Sequence, residues 1–385
     1  MAQNITLMGA SYSDVPSVEL PKTGGGTAAF TDVTDTTATA SDVAQGKYFH
    51  LASGQLVEGE ASGGGGGSWI KDDGKTYLHI TLNSDYYLTI YMAFAQTIAG
   101  GNTIDWGDGT TETPTNTSTS ALPHTYSRQG DYVITVTNTS GYFYFGYEST
   151  INSYIFGDGS NASNMKYYHF ACILRKLELG QGWKADKGRQ FCQCGALTDV
   201  YISKKPDGTQ FAGWMFGGCG ALISFTWAEG VMDSITTAGQ YAFRYCEALS
   251  EAVIFPNMTS IPNHYMPQVS TEITALTKIP LHEGITSIGS NAFQNCRSVF
   301  EITIPSTVTS IGSDAFSTNY GCHAVHLKPI TPPTLSNSNA FSTNNANSYA
   351  RVMYVPYSAD HSILNAYKTA SNWSTYASYM QEEPQ

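Results

Sequence analysis

Four sets of residues in this chain have the types and spacing to do chemistry. Cys192-x-Cys194 carries half of a zinc-ligand spacing. Asp105 and Asp108, on either side of Trp106-Gly107, offer hard oxygens to a calcium ion. Glu229, Asp233, Glu247, Glu251, Glu283 and Glu301 are carboxylates from which a glycosidase pair would be drawn. Trp183, Trp214, Trp227, Tyr201, Tyr241 and Tyr245 supply rings of the kind that sugars stack on, and Tyr and Trp are enriched at binding surfaces generally.

The first three sets weaken on inspection. Cys194 falls on a repeated apolar position, and no histidine stands near it at ligand spacing. A closed calcium site needs six or more oxygens, whereas two aspartates in a Gly-rich turn close that turn by Asx hydrogen bonds. The six carboxylates are scattered along the chain, where solvated surface is the default. The nine histidines form no cluster. Nucleophile-elbow, P-loop and zincin patterns are absent. The expectation is a protein without catalytic residues, cofactor or metal. The aromatics remain. Trp227 sits where the repeat places an inward strand residue, so the core is its expected location, and Trp214 has a core alternative too. Trp183, Trp214, Tyr201, Tyr241 and Tyr245 are the candidate surface-binding residues, with Trp183 and Tyr245 foremost.

The elements that position them are repeats. Ile285-Thr-Ser-Ile288-Gly289-Ser-Asn-Ala292-Phe293 returns as Val308-Thr-Ser-Ile311-Gly312-Ser-Asp-Ala315-Phe316. Self-similarity at this period predicts a solenoid, in which each coil buries its apolar face only against its neighbours. The unit reads Phe-x-x-Cys-x-x-Leu-x-x-Ile-x-Ile-Pro. It fits Phe191, Cys194, Leu197, Val200, Ile202; Phe216, Cys219, Leu222, Phe225, Trp227; Phe243, Cys246, Leu249, Ala252, Ile254; and Phe293, Cys296, Val299, Ile302, Ile304. A degenerate copy begins at Tyr168, and another runs from Ala340-Phe341 to Pro356. Between Phe243 and Phe293 one irregular coil is expected, with Leu276-x-x-Ile279-Pro280 as its remnant. In each unit the Ile-x-Ile strand faces both side chains inward, Phe wedges between coils, and Cys is small enough to let coils approach. Stacked strands would form a continuous sheet along one face. Seven cysteines, most at one repeat position, are better read as buried small residues than as disulfides.

The rest of the chain frames this solenoid, which is assigned to 151–356. Residues 1–60 are poor in large apolar side chains and could not bury much of a core alone. Thr39-x-x-Asp42 predicts a short helix stopped by Gly46, followed by a hairpin of Lys47–Leu51 and Gln55–Glu60. Residues 61–68, ASGGGGGS, form a linker spanning about 15 Å. In 69–150, Tyr77–Leu82 and Tyr87–Met92 alternate as strands. Residues 357–385 predict two short helices, Asp360–Thr369 and Trp373–Met380, whose apolar face of Ile363, Leu364, Tyr367, Trp373, Tyr376 and Met380 suits a terminal cap. The net charge of −12 offers no basic stripe for nucleic acid or an anionic membrane. No apolar run reaches spanning length. The N-terminus lacks the basic flank and apolar core of a signal peptide.

Three resemblances follow from these residues. Phe30–Glu60, FTDVTDTTATASDVAQGKYFHLASGQLVEGE, resembles a module of bacteriophage tail-associated and fibre proteins. Trp106-Gly107-Asp108-Gly109-Thr110, then His124-Thr125-Tyr126, then Gly130-Asp131-Tyr132-Val133-Ile134-Thr135-Val136 resemble the fingerprint of the PKD domain, an Ig-like β-sandwich. The repeats resemble the BspA-like leucine-rich repeats, which in that family mediate attachment to surfaces. Together these imply a mainly β, multidomain chain: attachment module, Ig-like sandwich, leucine-rich-repeat solenoid and short capping helices. They imply a phage virion protein of tail-fibre or receptor-binding type, located in the virion and made in the host cytoplasm. Its partners would be tail or capsid proteins through residues 1–60 and a bacterial surface glycan or protein. A homo-oligomer is implied, phage fibres being commonly trimeric. The alternatives are a capsid decoration or head fibre protein and a bacterial BspA-like surface adhesin.

Overall fold

The structure, a computed structural model, describes residues 69–83, 88–146, 155–157, 173–267, 275–341 and 351–384, and the backbone of six short strands before residue 60. Two compact units result, Met1–Lys71 and Asp72–Gln385. In the first, Gln3–Leu7 pairs antiparallel with Ala10–Val15, Ser17–Pro21 with Thr27–Thr31, and Tyr48–His50 with Leu56–Glu58. The last pair is the hairpin expected around Ala52-Ser53-Gly54. The helix expected from Thr39 lies outside the described residues.

The second unit begins with two antiparallel sheets. One runs Thr111–Glu112, Asn102–Asp105, Gly130–Asn138, Thr76–Leu82; the other runs Ser120–Thr125, Thr89–Gln96, Phe143–Phe145. Alternation does the sorting: Leu78, Ile80 and Leu82 go inward from one strand, Ile134 and Val136 from another, against Ile90, Met92 and Phe94 opposite. Gly107 and Gly109 take φ of +81° and +92° in the connecting turn, a region open to glycine without penalty.

The first sheet does not stop at residue 150. Thr76–Leu82 pairs antiparallel with Leu174–Leu179, which pairs in parallel with Asp199–Ile202, and that with Ser224–Trp227. One seven-stranded sheet therefore joins the two-sheet region to the first coils. Gln190 reinforces the join. Its buried Oε1 accepts the Phe145 N–H at 3.0 Å and the Trp183 indole N–H at 2.9 Å. Its Nε2 donates to the Lys184 and Lys187 carbonyls at 2.6 and 2.9 Å.

Beyond this sheet the coils stack around an aromatic ladder. Phe191, Phe216 and Phe243 lie parallel, with centroids 5.1 and 5.9 Å apart. Phe293, Phe316 and Phe341 do the same at 5.6 and 5.2 Å. The hydrogen bonds supply the coil hidden between the two runs. Phe216 N–H bonds the Ala242 carbonyl, Phe243 that of Tyr265, Met266 that of Ala292, and Phe293 that of Ala315. Met266 is thus the wedge of the irregular coil, and Tyr265 fills the space with its ring, edge-on to Phe243 at 5.7 Å. The six described cysteines are buried free thiols, as the repeat implied. They also donate: Cys219 Sγ contacts the Phe191 carbonyl at 3.1 Å and Cys246 the Phe216 carbonyl at 3.2 Å, each in the preceding coil.

The continuous strand sheet expected along one face is interrupted. The strand ladder ends at Ser224–Trp227 and resumes at Glu301–Ile304. In between, among the described residues, the pairing on this face shrinks to a single parallel bridge, Glu251 to Lys278, and the buried segment Ala252–Phe255 is not a strand. The unbroken ladder runs through the threonines instead: Thr236 N–H bonds the Thr209 carbonyl, Thr259 that of Thr236, Thr286 that of Thr259, Thr309 that of Thr286 and Thr334 that of Thr309. At the next corner the coils touch backbone to backbone. A Cβ on Gly239 would lie 2.2 Å from Gly213 N, on Gly289 2.4 Å from Asn263 N, and on Gly312 2.4 Å from Ser290 N.

The cap differs in detail from the two helices expected. Helix Ser362–Thr369 is α, Trp373–Tyr379 is 3-10, and Met380–Glu382 adds a parallel strand to Val352–Val355. Trp373 lies 5.8 Å from Phe341 and ends the ladder, its indole N–H donating to the Pro333 carbonyl. Tyr367, Trp373, Tyr376 and Met380 are buried, while Ile363 and Leu364 are only partly so.

Two outcomes test this packing. Gly312→Ala forces a backbone clash between coils and should destabilise the protein by about 1–3 kcal/mol, read by denaturant unfolding; an unchanged midpoint would refute the contact. Glu283 accepts the Ser306 N–H and hydroxyl of the next coil at 3.0 and 2.8 Å. Its carboxyl is held below the ordinary 4.5 chiefly by the Ser306 backbone N–H. The stability it contributes is present above that pH and lost as pH falls through the lower folded value. The Tm gap between wild type and Glu283→Gln should therefore narrow on acidification below pH 4.5; a gap independent of pH would contradict it.

Candidate functional site

The residue two positions before every wedge from Phe191 to Phe316 has the same unusual backbone, which Asn339 before Phe341 does not share. Arg189, Trp214, Tyr241, His264, Asn291 and Asp314 have φ of 63°, 58°, 64°, 51°, 56° and 56°. Asn and Asp tolerate this left-handed region best, and bulky residues there are outliers costing about 1–3 kcal/mol each. The later coils use the tolerant types, Asn291 and Asp314. The earlier coils place Arg, Trp, Tyr and His on the same backbone. Tyr245, two positions after Phe243, is a further left-handed aromatic at φ 64°.

Stacking of coils lines these side chains up. The Arg189 guanidinium lies 5.2 Å from the Trp214 ring centroid. Trp214 stacks on Tyr241 at 4.5 Å, and Tyr241 on His264 at 5.0 Å. Arg244 sits against three rings, at 5.4 Å from Trp214, 5.1 Å from Tyr241 and 4.1 Å from Tyr245. It also donates from Nη2 to the Tyr245 hydroxyl. All six side chains are half-buried, so the row forms a ridge reaching solvent. Burial, then the Arg244 charge, lowers the His264 pKa and keeps the ring neutral near neutral pH.

Three of the five sequence candidates, Trp214, Tyr241 and Tyr245, therefore come together here. Two do not. Trp183 is fully buried, not surface: Gln190 satisfies its indole N–H, and Phe211 packs edge-on against it at 6.4 Å. Tyr201 lies on the sheet, half-buried, where burial followed by the Asp72 and Glu178 charges raises its pKa. Trp227 was placed in the core. It is half-buried at the free edge of the interrupted sheet, on a groove of about 440 Å³ that Ile223, Val253 and Pro280 also line. Arg189, Arg244 and His264 were missed from sequence. Arg189 shares its repeat offset with Trp214 and Tyr241, which a full alignment of coils would have exposed. His264 was hidden because Met266 stands in the place of Phe.

The other chemical readings resolve geometrically. Asp105 Oδ1 accepts the Gly107 N–H at 2.9 Å, and Asp108 Oδ1 accepts the Thr110 N–H and hydroxyl at 3.0 and 2.6 Å. Asp108 Oδ2 meets His124 Nε2 at 2.8 Å, and the His124 ring stacks on Trp106 at 4.5 Å. These carboxylates hold the turn. Among the described residues no three His, Cys, Asp or Glu gather in a metal-sized group. Burial raises the thiol pKa of Cys219, Cys246 and Cys296 far above the ordinary range and that of Cys192 to about 11, so none is a thiolate nucleophile. Glu251 pairs with Lys278 at 2.9 Å and Glu301 with His326 at 3.2 Å. No described helix is long and apolar enough to cross a membrane.

The ridge and the wedge should respond differently to substitution. Tyr241→Asn relieves left-handed strain and should leave Tm unchanged or raised, whereas Phe243→Ala should cost about 3–5 kcal/mol. Thermal melts check this; equal losses would make the ridge core.

Comparison with known proteins bears on the coils. Residues 163–277 and 271–351 match the family described as BspA type leucine rich repeat region, in six copies. Among solved structures, a leucine rich repeat protein from T. pallidum is 23% identical over 40% of this chain and 64% of its own, with a TM-score of 0.29. A leucine rich cell surface protein from Faecalibacterium prausnitzii A2-165 is 21% identical over 47% of this chain and 65% of its own, with a TM-score of 0.25. A leucine-rich repeat protein from Bacteroides ovatus ATCC 8483 is 13% identical over 55% of this chain and 66% of its own, with a TM-score of 0.29. This chain thus spans just under two thirds of each. No curated protein matches it. The repeat match covers the stacked coils: the chain carries a BspA-type leucine-rich-repeat region over 163–351.

Proposed function

We propose that this chain is a non-enzymatic recognition protein whose solenoid binds a bacterial surface glycan or protein. The observation that carries the reading is the ridge Arg189–Trp214–Tyr241–His264 with Tyr245, where costly left-handed backbone holds aromatic and cationic side chains half-exposed, and Arg244 packs against their rings. A row of side chains that the fold would accommodate more cheaply as Asn or Asp is kept for contact.

The finer reading is a bacteriophage virion protein of tail-fibre or receptor-binding type, located in the virion. Supporting it are the likeness of Phe30–Glu60 to a phage fibre module and the Gly-rich 61–68 stretch ahead of the Asp72–Gln385 unit. In this reading residues 1–60 dock to tail or capsid proteins, and the two-sheet region with its Trp106–Thr110 turn is a PKD-like spacer. Several copies in a homo-oligomer would multiply weak contacts into avidity. Docking to the capsid would instead make it a head fibre or decoration protein. The second reading is a BspA-like surface adhesin, favoured by the repeat match itself.

Immunogold labelling of the producing culture and its cell-free particles separates these. The virion reading expects gold on phage tails. Gold confined to the envelope of intact cells would select the adhesin, and gold on neither would remove both.

A further inference from the structure

We infer that the ridge is a binding site for an anionic polysaccharide, with the Arg189 and Arg244 guanidiniums engaging its carboxylate, sulfate or phosphodiester groups. This rests on the recognition reading above and adds the charge and class of the ligand.

The argument begins with charge. The chain holds 31 acidic against 19 basic residues, and its lysines are generally answered. Lys184 meets Asp207 at 2.6 Å, Lys204 meets Asp72 at 2.8 Å, and Lys328 meets Glu383 at 2.8 Å. Arg189 and Arg244 are held differently. Among the described residues neither pairs with a carboxylate, and both lie on ring faces. A ring face orients a guanidinium but leaves its net charge in place. The Arg244 Nε is buried with no hydrogen-bond partner, so packing rather than pairing sets its geometry. In an acidic protein, two guanidiniums against one indole ring, uncompensated among the described residues, make a local positive field.

The rings decide what sort of anion fits. Tyr241 is covered on one face by Trp214 and on the other by His264. Trp214 lies between Tyr241 and Arg189. A neutral sugar, or a nucleobase, would need a free face on which to stack. Trp214 and Tyr241 instead offer ring edges, the positive rim of the aromatic quadrupole. Edges, guanidiniums and phenol hydroxyls all favour oxyanions and hydroxyls. A protein partner would look for apolar anchors that bury fully on binding, whereas the ridge carries two cations among half-buried rings. A chain carrying repeated anionic groups among hydroxyls matches both the two cations and the neutral donors between them.

The test uses the full-length protein in an immobilised-ligand assay. Polygalacturonate, heparin and a polyglycerol-phosphate polymer present the three oxyanions; dextran is the neutral control and polyglutamate the peptide control. The expected result is binding to at least one anionic polymer and not to dextran, weakening as salt rises from about 50 to about 300 mM. Arg189→Gln with Arg244→Gln should weaken it by about tenfold or more at unchanged Tm, while Arg128→Gln, an exposed arginine of the two-sheet region, leaves it intact. Salt-independent binding, equal binding to dextran, tighter binding to polyglutamate, an unaffected double variant, or binding to no probe would each overturn the inference. The salt titration of the wild type stands even if the double variant misfolds. Intact bacteria form the last arm. Cells bound equally by wild type and double variant would remove the anionic site yet keep the recognition reading. Anionic polymers bound without any cells would do the reverse.

Discussion

The coils of the Asp72–Gln385 unit depend on one packing constraint: each must bury an aromatic ring, at the wedge or, in the Met266 coil, from Tyr265 beside it, against the ring of the next. The spine runs from Phe94, Phe143 and Phe145 in the two-sheet region, through Phe191 at 5.6 Å, along the coils to Phe341 and onto Trp373 of the cap. Each contact adds about 0.5–1.5 kcal/mol beyond the area it buries. Its larger role is to fix spacing. Rings that stack in parallel hold the coil backbones close enough for the Gly239, Gly289 and Gly312 corners to touch and for the threonine ladder to form.

The same spacing produces the surface. From Phe191 to Phe316 the residue two positions before the wedge turns left-handed, and from Arg189 to His264 its side chain meets its counterpart one coil away. In the later coils Asn291 and Asp314 satisfy the backbone. In the earlier coils the same geometry yields a stacked row of Arg, Trp, Tyr and His. On the proposed reading, recognition is a by-product of the repeat, tuned by side-chain choice at positions outside the core.

Much of this was legible in the sequence because repeated positions repeat their burial. The Phe, Cys and strand residues of four coils could be aligned by eye, and all are buried or nearly so except Trp227. What escaped notice depended on substitution across coils. Met266 does the work of Phe only because Tyr265 supplies the missing ring from the neighbouring position. Trp183 could not be told from a surface tryptophan, since its burial rests on Gln190 and on strand Phe143–Phe145, far away in sequence. The break in the strand sheet at Ala252–Phe255 was not legible, because its apolar composition alone suits a strand. The ridge was half visible: its aromatics stood out by type, but its arginines became meaningful only once stacking placed them on ring faces.

The account's central claim is that the early coils, and specifically the ridge, meet the ligand. Hydrogen–deuterium exchange of the full-length protein, with and without saturating host surface polysaccharide, measures this directly. Protection is predicted at amides around Arg189–Gln193, Gly213–Gly218 and Gln240–Tyr245, with the two-sheet region and the coils from Ile285 to Phe341 unchanged. Protection confined to those later coils, or to the strands of the two-sheet region, would contradict it.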